Sequence, residues 1–202
     1  MKNSQRAFVF AAAASLICHT FALAATNRNR VLDGQNSLRS QAKSAQTKSQ
    51  TPVQTMQNNL QLAVFEKQMA QMVNAARKNA KLSPLIWDEK LAQVARAHSL
   101  EMRDKKYFAH QSPTENLREP IDRYRAAFGQ TPAVVAENVY RAWSSVPQKI
   151  TLKTVRNSHV ALMNSPHHRE KILESRVQRV GIGIISNKNG DFWVTQMFSR
   201  PN

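Results

Sequence analysis

Apolar positions between residues 60 and 200 recur with two different periods. Leu62, Phe65, Met69, Met72, Val73 and Ala76 fall on one side of a 3.6-residue repeat, which predicts an amphipathic helix from about Leu60. Lys81-Leu82-Ser83-Pro84 breaks it. Asp88 then offers an N-cap to a second helix whose inner stripe is Leu91, Val94, Ala95, His98 and Met102. A third helix is predicted from near Thr114 to Phe128, and a fourth from Leu152 to Met163. Ser165 and Pro166 form a cap and first-turn pair for a short helix through Leu173. Residues 133–141 read as extended. Near the C-terminus two β-rich runs, 180–185 and 191–198, flank an Asn189-Gly190 turn, a strong hairpin signal. Helices first and a hairpin last predict an α+β fold, with helices covering a small antiparallel sheet.

The first sixty residues follow neither period. Lys2 and Arg6 precede an apolar stretch from Phe8 to Cys18, and Ala22-Leu23-Ala24 supplies small residues where a signal peptidase cuts. Residues 1–24 therefore read as a secretory signal, too short for a membrane span of about 20 residues. Bulky Ile17 before Cys18 argues against a lipoprotein signal. Residues 25–59 are dominated by Ser, Thr, Gln, Asn, Lys and Arg and contain no aromatic, so they read as a disordered basic linker that cannot offset its ordering entropy by burial. Residues 60–202 form the one folded domain.

Composition narrows the function classes. Lys and Arg number 29 against 13 Asp and Glu, a formal charge of +16. The single Cys excludes a disulfide framework and a Cys-based zinc site. A cationic, exported chain suits anionic partners such as acidic lipid or cell-envelope polymer. The basic residues are scattered and no nucleic-acid motif occurs, so nucleic acid is not the expected partner.

Three residues stand out chemically. Val135, Glu137 and Val139 share one side of an extended segment, and a carboxylate between two valines is costly to bury without a partner. His110 lies at a helix-to-loop exit, a common place for a site residue. Of the adjacent His167 and His168, His168 neighbours Ile172 on the short helix and is the inward one. In the first helical turn it feels the positive helix end, which favours the neutral ring that a metal ligand or base requires. His98, on the second helix's apolar stripe, reads as a satisfied core histidine.

The chain also resembles a known family. The run from Met72 to Arg77, through Leu82-Ser83-Pro84-Leu85-Ile86-Trp87-Asp88 to Ala92, looks like the opening of a CAP domain, the fold of cysteine-rich secretory proteins, antigen 5 and plant pathogenesis-related proteins of group 1. Phe108-Ala109-His110-Gln111-Ser112-Pro113, Ala136-Glu137-Asn138, Met163 to Arg169, Val180-Gly181-Ile182-Gly183 and Trp193 to Phe198 follow in the family's order. The resemblance covers roughly residues 62–200 and is nearest to the short, cysteine-free bacterial branch. It implies a three-layer α-β-α sandwich with a central groove. The groove residues it implies are His110, Glu137, Asn138, Ser165 and His168, with His110 and His168 as ligands of a divalent metal, often zinc in relatives. Lys81 stands where the family has a turn glycine, and Leu162 where it has a tryptophan.

Two functions follow from this resemblance. The first is a secreted or periplasmic binding protein, whose groove takes a lipid or anionic cell-envelope component with the help of a divalent metal. The second is a metal-assisted extracellular hydrolase that uses Glu137, His110 and His168. No oriented nucleophile and base accompany that cluster, so the chain reads as a binder rather than an enzyme.

Overall fold

The computed structural model describes residues 51–202. The secretory signal expected at 1–24 and most of the linker expected at 25–59 lie outside the described residues. The first helix, α1 (Pro52–Asn79), begins earlier than the apolar stripe foretold. Thr51 caps it by accepting from the Gln54 N–H at 3.3 Å, and Pro52 sits in the first turn, where a missing N–H does no harm. Residues 52–59, expected in the linker, are therefore helical. Every residue from Pro52 to Gln61 is exposed, so a cap and helix propagation form this end, not burial. Further on, Phe65, Met69 and Val73 enter the core.

A left-handed Lys81, φ 59°, turns the chain after α1. It leads into β1 (Ile86–Trp87), a two-residue strand too short to show a period, and then α2 (Glu89–Asp104). Asp88 caps α2 by accepting from the Leu91 N–H at 3.0 Å. The third helix, α3 (Pro120–Phe128), is shorter than expected. Asn116 turns left-handed at φ 64°, and Pro120 with the Glu119–Asp122 capping box sets the start, so 114–119 form a loop. β2 (Val134–Ala142), α4 (Leu152–Asn164), α5 (Pro166–Ile172), β3 (Arg179–Ser186) and β4 (Phe192–Arg200) complete the fold.

The strand order is β1-β3-β4-β2, with β1 parallel to β3 and the other pairs antiparallel. Strand alternation divides the side chains between two helical layers. Val180, Ile182, Ile184, Phe192, Val194 and Phe198 meet α1, α4 and α5 in the larger core. On the other face Met197 meets Leu91, Val94 and Ala95 of α2 and Tyr124 of α3. This is the α-β-α sandwich that the resemblance implies.

Two glycines set the depth at which α2 sits. A Cβ at Gly181 would lie 2.3 Å from the Ala92 nitrogen, and one at Gly183 would lie 2.1 Å from the Arg96 nitrogen. Glycine lets helix backbone rest directly on β3, where Ser99 Oγ donates to the Gly183 carbonyl at 3.0 Å and meets Thr195 Oγ1 at 2.8 Å. Beyond the short β1 the edge of β3 has no strand neighbour among the described residues. There buried Glu66 of α1 accepts from the Ile184 N–H at 2.9 Å and is clamped by Arg96 of α2 at 2.7 Å.

Gly183→Ala should destabilise the protein by about 3 kcal/mol, the upper end for overpacking. Urea unfolding should show a lower midpoint at an unchanged slope. A loss below about 1 kcal/mol would mean that α2 can withdraw from the sheet without consequence.

Candidate functional site

β2 is an edge strand, and its alternation aims neighbouring residues at opposite layers. Val135, Glu137 and Val139 face α2 and α3; Asn138 faces α5. The Glu137 side chain is 1% exposed, so its carboxylate needs partners inside the protein. Arg123 Nη2, from α3, donates to Oε2 at 2.6 Å, and His110 Nδ1, from the loop after α2, meets Oε1 at 2.9 Å. A carboxylate oxygen beside a guanidinium acts as acceptor, so the His110 proton sits on Nδ1. The ring is 39% exposed, and its Nε2 makes no bond among the described residues.

The loop that carries His110 is organised by a second carboxylate. Glu101, in the last turn of α2, accepts from Tyr107 Oη at 2.7 Å, Ser112 Oγ at 2.7 Å, Lys105 Nζ at 2.8 Å and Thr114 Oγ1. Against the opposing effect of burial, these donors hold its pKa down to about 2. Arg123 also donates to the His110 carbonyl at 3.0 Å, so one guanidinium fixes both the backbone of the loop and the carboxylate its imidazole meets.

His98 lies fully buried between the two carboxylates, 3.8 Å from Glu101 and 3.9 Å from Glu137. Its Nε2 donates to the Ala109 carbonyl at 3.1 Å. Burial pushes its pKa down against the pull of Glu137, so the ring is neutral with the proton on Nε2. A polar chain thus runs from Glu101 through His98 and Glu137 to His110 at the surface. The sequence marked His98 as core and gave no signal for Glu101 or Arg123, since a single charge near a helix end is ordinarily solvated.

His168 approaches from the other layer. It is half-buried in the first turn of α5, with Nδ1 2.9 Å from Ser165 Oγ. Burial, then the charges of Lys171, His167 and His110, push its pKa down. His167 is exposed and accepts from Lys171 Nζ at 2.7 Å. Asn138 fastens α5 to β2, donating from Nδ2 to the His168 carbonyl at 3.0 Å and to Gln196 Oε1 at 3.2 Å.

Of the five residues expected to line the groove, His110, Ser165 and His168 keep some exposure. Asn138 is fully buried and acts as a tether, while Glu137 lies beneath His110; neither forms the accessible surface. His110 and Glu137 are in contact, and no bond joins His168 to either among the described residues. No three His, Cys, Asp or Glu side chains converge to hold a cation among the described residues. Glu137 spends its oxygens on Arg123 and His110, which leaves the Nε2 atoms of His110 and His168 without a hydrogen bond among the described residues. The hydroxyl of Ser112 is likewise committed to Glu101.

Known proteins share both the sequence pattern and the fold. The profile of the cysteine-rich secretory protein family, CAP, matches residues 70–198. The Bacillus subtilis protein YkwD is 34% identical over 139 residues, 69% of this chain and 49% of its own length. The chain thus spans about half of that relative. Among solved structures, an extracellular protein containing a SCP domain from Bacillus anthracis has a TM-score of 0.59 at 27% identity, covering 76% of this chain and 45% of that one. An outer surface protein from Borrelia burgdorferi has a TM-score of 0.57 at 19% identity, covering 68% and 93%, which speaks to fold alone.

Arg123→Met should cost about 3–5 kcal/mol, because it strands a buried carboxylate. Adding Glu137→Met should recover part of that loss in chemical denaturation; no recovery would mean that Arg123 acts only through the loop carbonyls. Acid should also weaken the fold in two stages. His98, His159 and His168 have folded pKa values below the ordinary 6.5, so the unfolded chain takes up protons first. Their contribution is complete above pH 6.5 and is lost as pH falls through the window below it. Glu101 adds a further loss between 4.5 and about 2. Calorimetric Tm should fall from pH 7 to pH 5, with a shallower slope in His98→Gln; a flat or rising Tm there contradicts the neutral buried rings.

Proposed function

The chain belongs to the CAP family of cysteine-rich secretory proteins, and on that footing we propose that it is an exported binding protein. Its ligand is an anionic lipid headgroup or other acidic cell-envelope component, taken at the edge of β2 between His110 and His168. A divalent cation such as zinc joins protein and ligand. The observation that carries this reading is the matched state of the two rings. Each has Nδ1 engaged, by the Glu137 carboxylate or by the Ser165 hydroxyl, and each keeps Nε2 for a ligand. Histidines that bind metal are commonly held in this way by a partner behind the ring. Two protein ligands leave coordination positions for an anion.

Further support comes from charge and from the N-terminus. Residues 60–202 carry 22 basic against 12 acidic residues, which favours an acidic partner. Lys2 and Arg6, the apolar stretch to Cys18 and Ala22-Leu23-Ala24 favour export. The hydrolase reading has less behind it. Ser112 Oγ donates to Glu101 rather than to a base, and both Glu137 oxygens are bonded, so neither stands open to take a proton from water.

The test is sedimentation with phosphatidylglycerol vesicles, with and without zinc, and with phosphatidylcholine as control. Zinc should raise the affinity for the anionic vesicles at least about tenfold in wild type, and the gain should vanish in His168→Ala. Glu137→Gln should lower it about 10-fold or more by freeing the His110 ring. Binding that ignores zinc, or an equal gain in His168→Ala, would reduce the interaction to general charge attraction.

A further inference from the structure

β2 runs into a loop, residues 143–150, that leads to α4 and carries two large apolar side chains in water. Trp143 is 73% exposed and Val146 62%. The backbone beneath them is held. The Ser144 N–H donates to Asp191 Oδ1 at 2.8 Å, Ser144 Oγ donates to the Val146 carbonyl at 2.6 Å, and the Gln148 N–H donates to the Asn189 carbonyl at 3.2 Å. These bonds fasten the loop to the β3–β4 turn. There Gly190, at φ 86°, leaves no room for a side chain, since a Cβ would lie 2.3 Å from the Gln148 carbonyl oxygen. Trp143 and Val146 are thus displayed on a fixed turn, so a partner that takes them up has little ordering cost to overcome.

A cation stands beside them. Arg141 Cζ lies 5.0 Å from the ring centre of Trp143 and 5.0 Å from that of buried Trp193. Aromatic contact holds this guanidinium, which makes no hydrogen bond or ion pair among the described residues. Its Nε is sealed, whereas Nη1 and Nη2 reach solvent. A guanidinium fixed in this way, with its outer edge unmatched, suits a pair of phosphate oxygens. The sequence around it has one sign of charge. Residues 138–169 hold five basic residues, Arg141, Lys149, Lys153, Arg156 and Arg169, and no acidic one. Asp191, at the base of the loop, has one oxygen engaged by the Ser144 N–H and the other by Asn187 Nδ2 at 2.9 Å.

We propose that this loop docks the protein on an anionic phospholipid bilayer. The Trp143 indole and Val146 enter the interface, and Arg141 holds a lipid phosphate through Nη1 and Nη2. An indole is favoured at the headgroup level, where its ring meets acyl chain and its N–H stays wet. The apolar pair separates a bilayer from a soluble acidic polymer. Such a polymer leaves Val146 in water, whereas a bilayer removes both side chains from it. The choice of an acidic lipid rests on the reading of the sheet edge and narrows it. The residues are different and no metal is required, so the two sites can fail separately.

The experiment follows tryptophan emission with phosphatidylglycerol vesicles brominated on the acyl chains, in the presence of a zinc chelator. Bromine quenches an indole only at close range, so quenching reports entry and not adsorption by charge. Wild type should be quenched, and brominated phosphatidylcholine should leave it bright. His168→Ala should behave as wild type. Val146→Asp changes an exposed loop position and should abolish quenching. By sedimentation, vesicle affinity should fall about fivefold in Arg141→Gln, the worth of one basic side chain at an anionic surface, and at least about tenfold in Trp143→Ala. The zinc-dependent gain should survive in Trp143→Ala, which keeps failure of one site distinct from failure of the other. No quenching by the anionic vesicles, undiminished quenching in Val146→Asp, or unchanged affinity in a Trp143→Ala protein with native circular dichroism would overturn the proposal. So would binding to soluble dextran sulfate that Trp143→Ala weakens as much as vesicle binding, since the loop would then read an acidic polymer.

Discussion

A buried carboxylate on an edge strand constrains this molecule more than any other single group. Glu137 sits between two valines that belong to the core, and its side chain is almost sealed from water. Coulomb and desolvation terms both demand a cation or strong donors within hydrogen-bond reach. Arg123 and His110 meet that demand. By doing so they fix α3 against β2 and bring the loop after α2 back to the sheet. The local geometry follows from one charge that has nowhere else to go.

The same logic recurs at smaller scale. Glu101 gathers Tyr107, Lys105, Ser112 and Thr114, converting a fourteen-residue span of polar chain into a shaped loop. In the opposite layer Arg77, 1% exposed, donates to the carbonyls of Ser83, Ile172 and Glu174, and so anchors the end of α5 to α1. Asn138 holds the beginning of that helix to β2. His168 is therefore positioned by bonds at both ends of its helix, and His110 by bonds on both sides of its loop. The two imidazoles come from different layers; buried Glu137 stands behind the His110 ring, and buried Arg77 and Asn138 tie down the helix that carries His168.

Regular elements were legible where periodicity had enough residues to express itself. The stripes of α1, α2 and α4 and the terminal hairpin could be read from spacing, as could the shared side of Val135, Glu137 and Val139. Boundaries were less legible. The exposed start of α1 rests on the Thr51 cap and Pro52, which carry no apolar signal, and α3 starts late because Pro120 and the Glu119 box outrank the preceding loop. β1 has two residues, fewer than any period needs. It exists because β3 offers it an edge.

Within the site, the single chain of residues distinguished only those whose type was odd for its place. A glutamate flanked by valines is odd, and an inward-facing imidazole beside Ile172 is odd, so Glu137 and His168 could be singled out. Arg123 and Glu101 are ordinary residues in ordinary helical positions, and Asn138 alternates with Glu137 in a way that says nothing of which layer it meets. Local pattern decides the elements and which side of each is apolar, because those depend on neighbours a few residues away. The pairing of Glu137 with Arg123 and the tether of Asn138 to α5 were decided by the tertiary structure alone, because each depends on how two layers close over a sheet edge whose partners lie 14 and 30 residues apart.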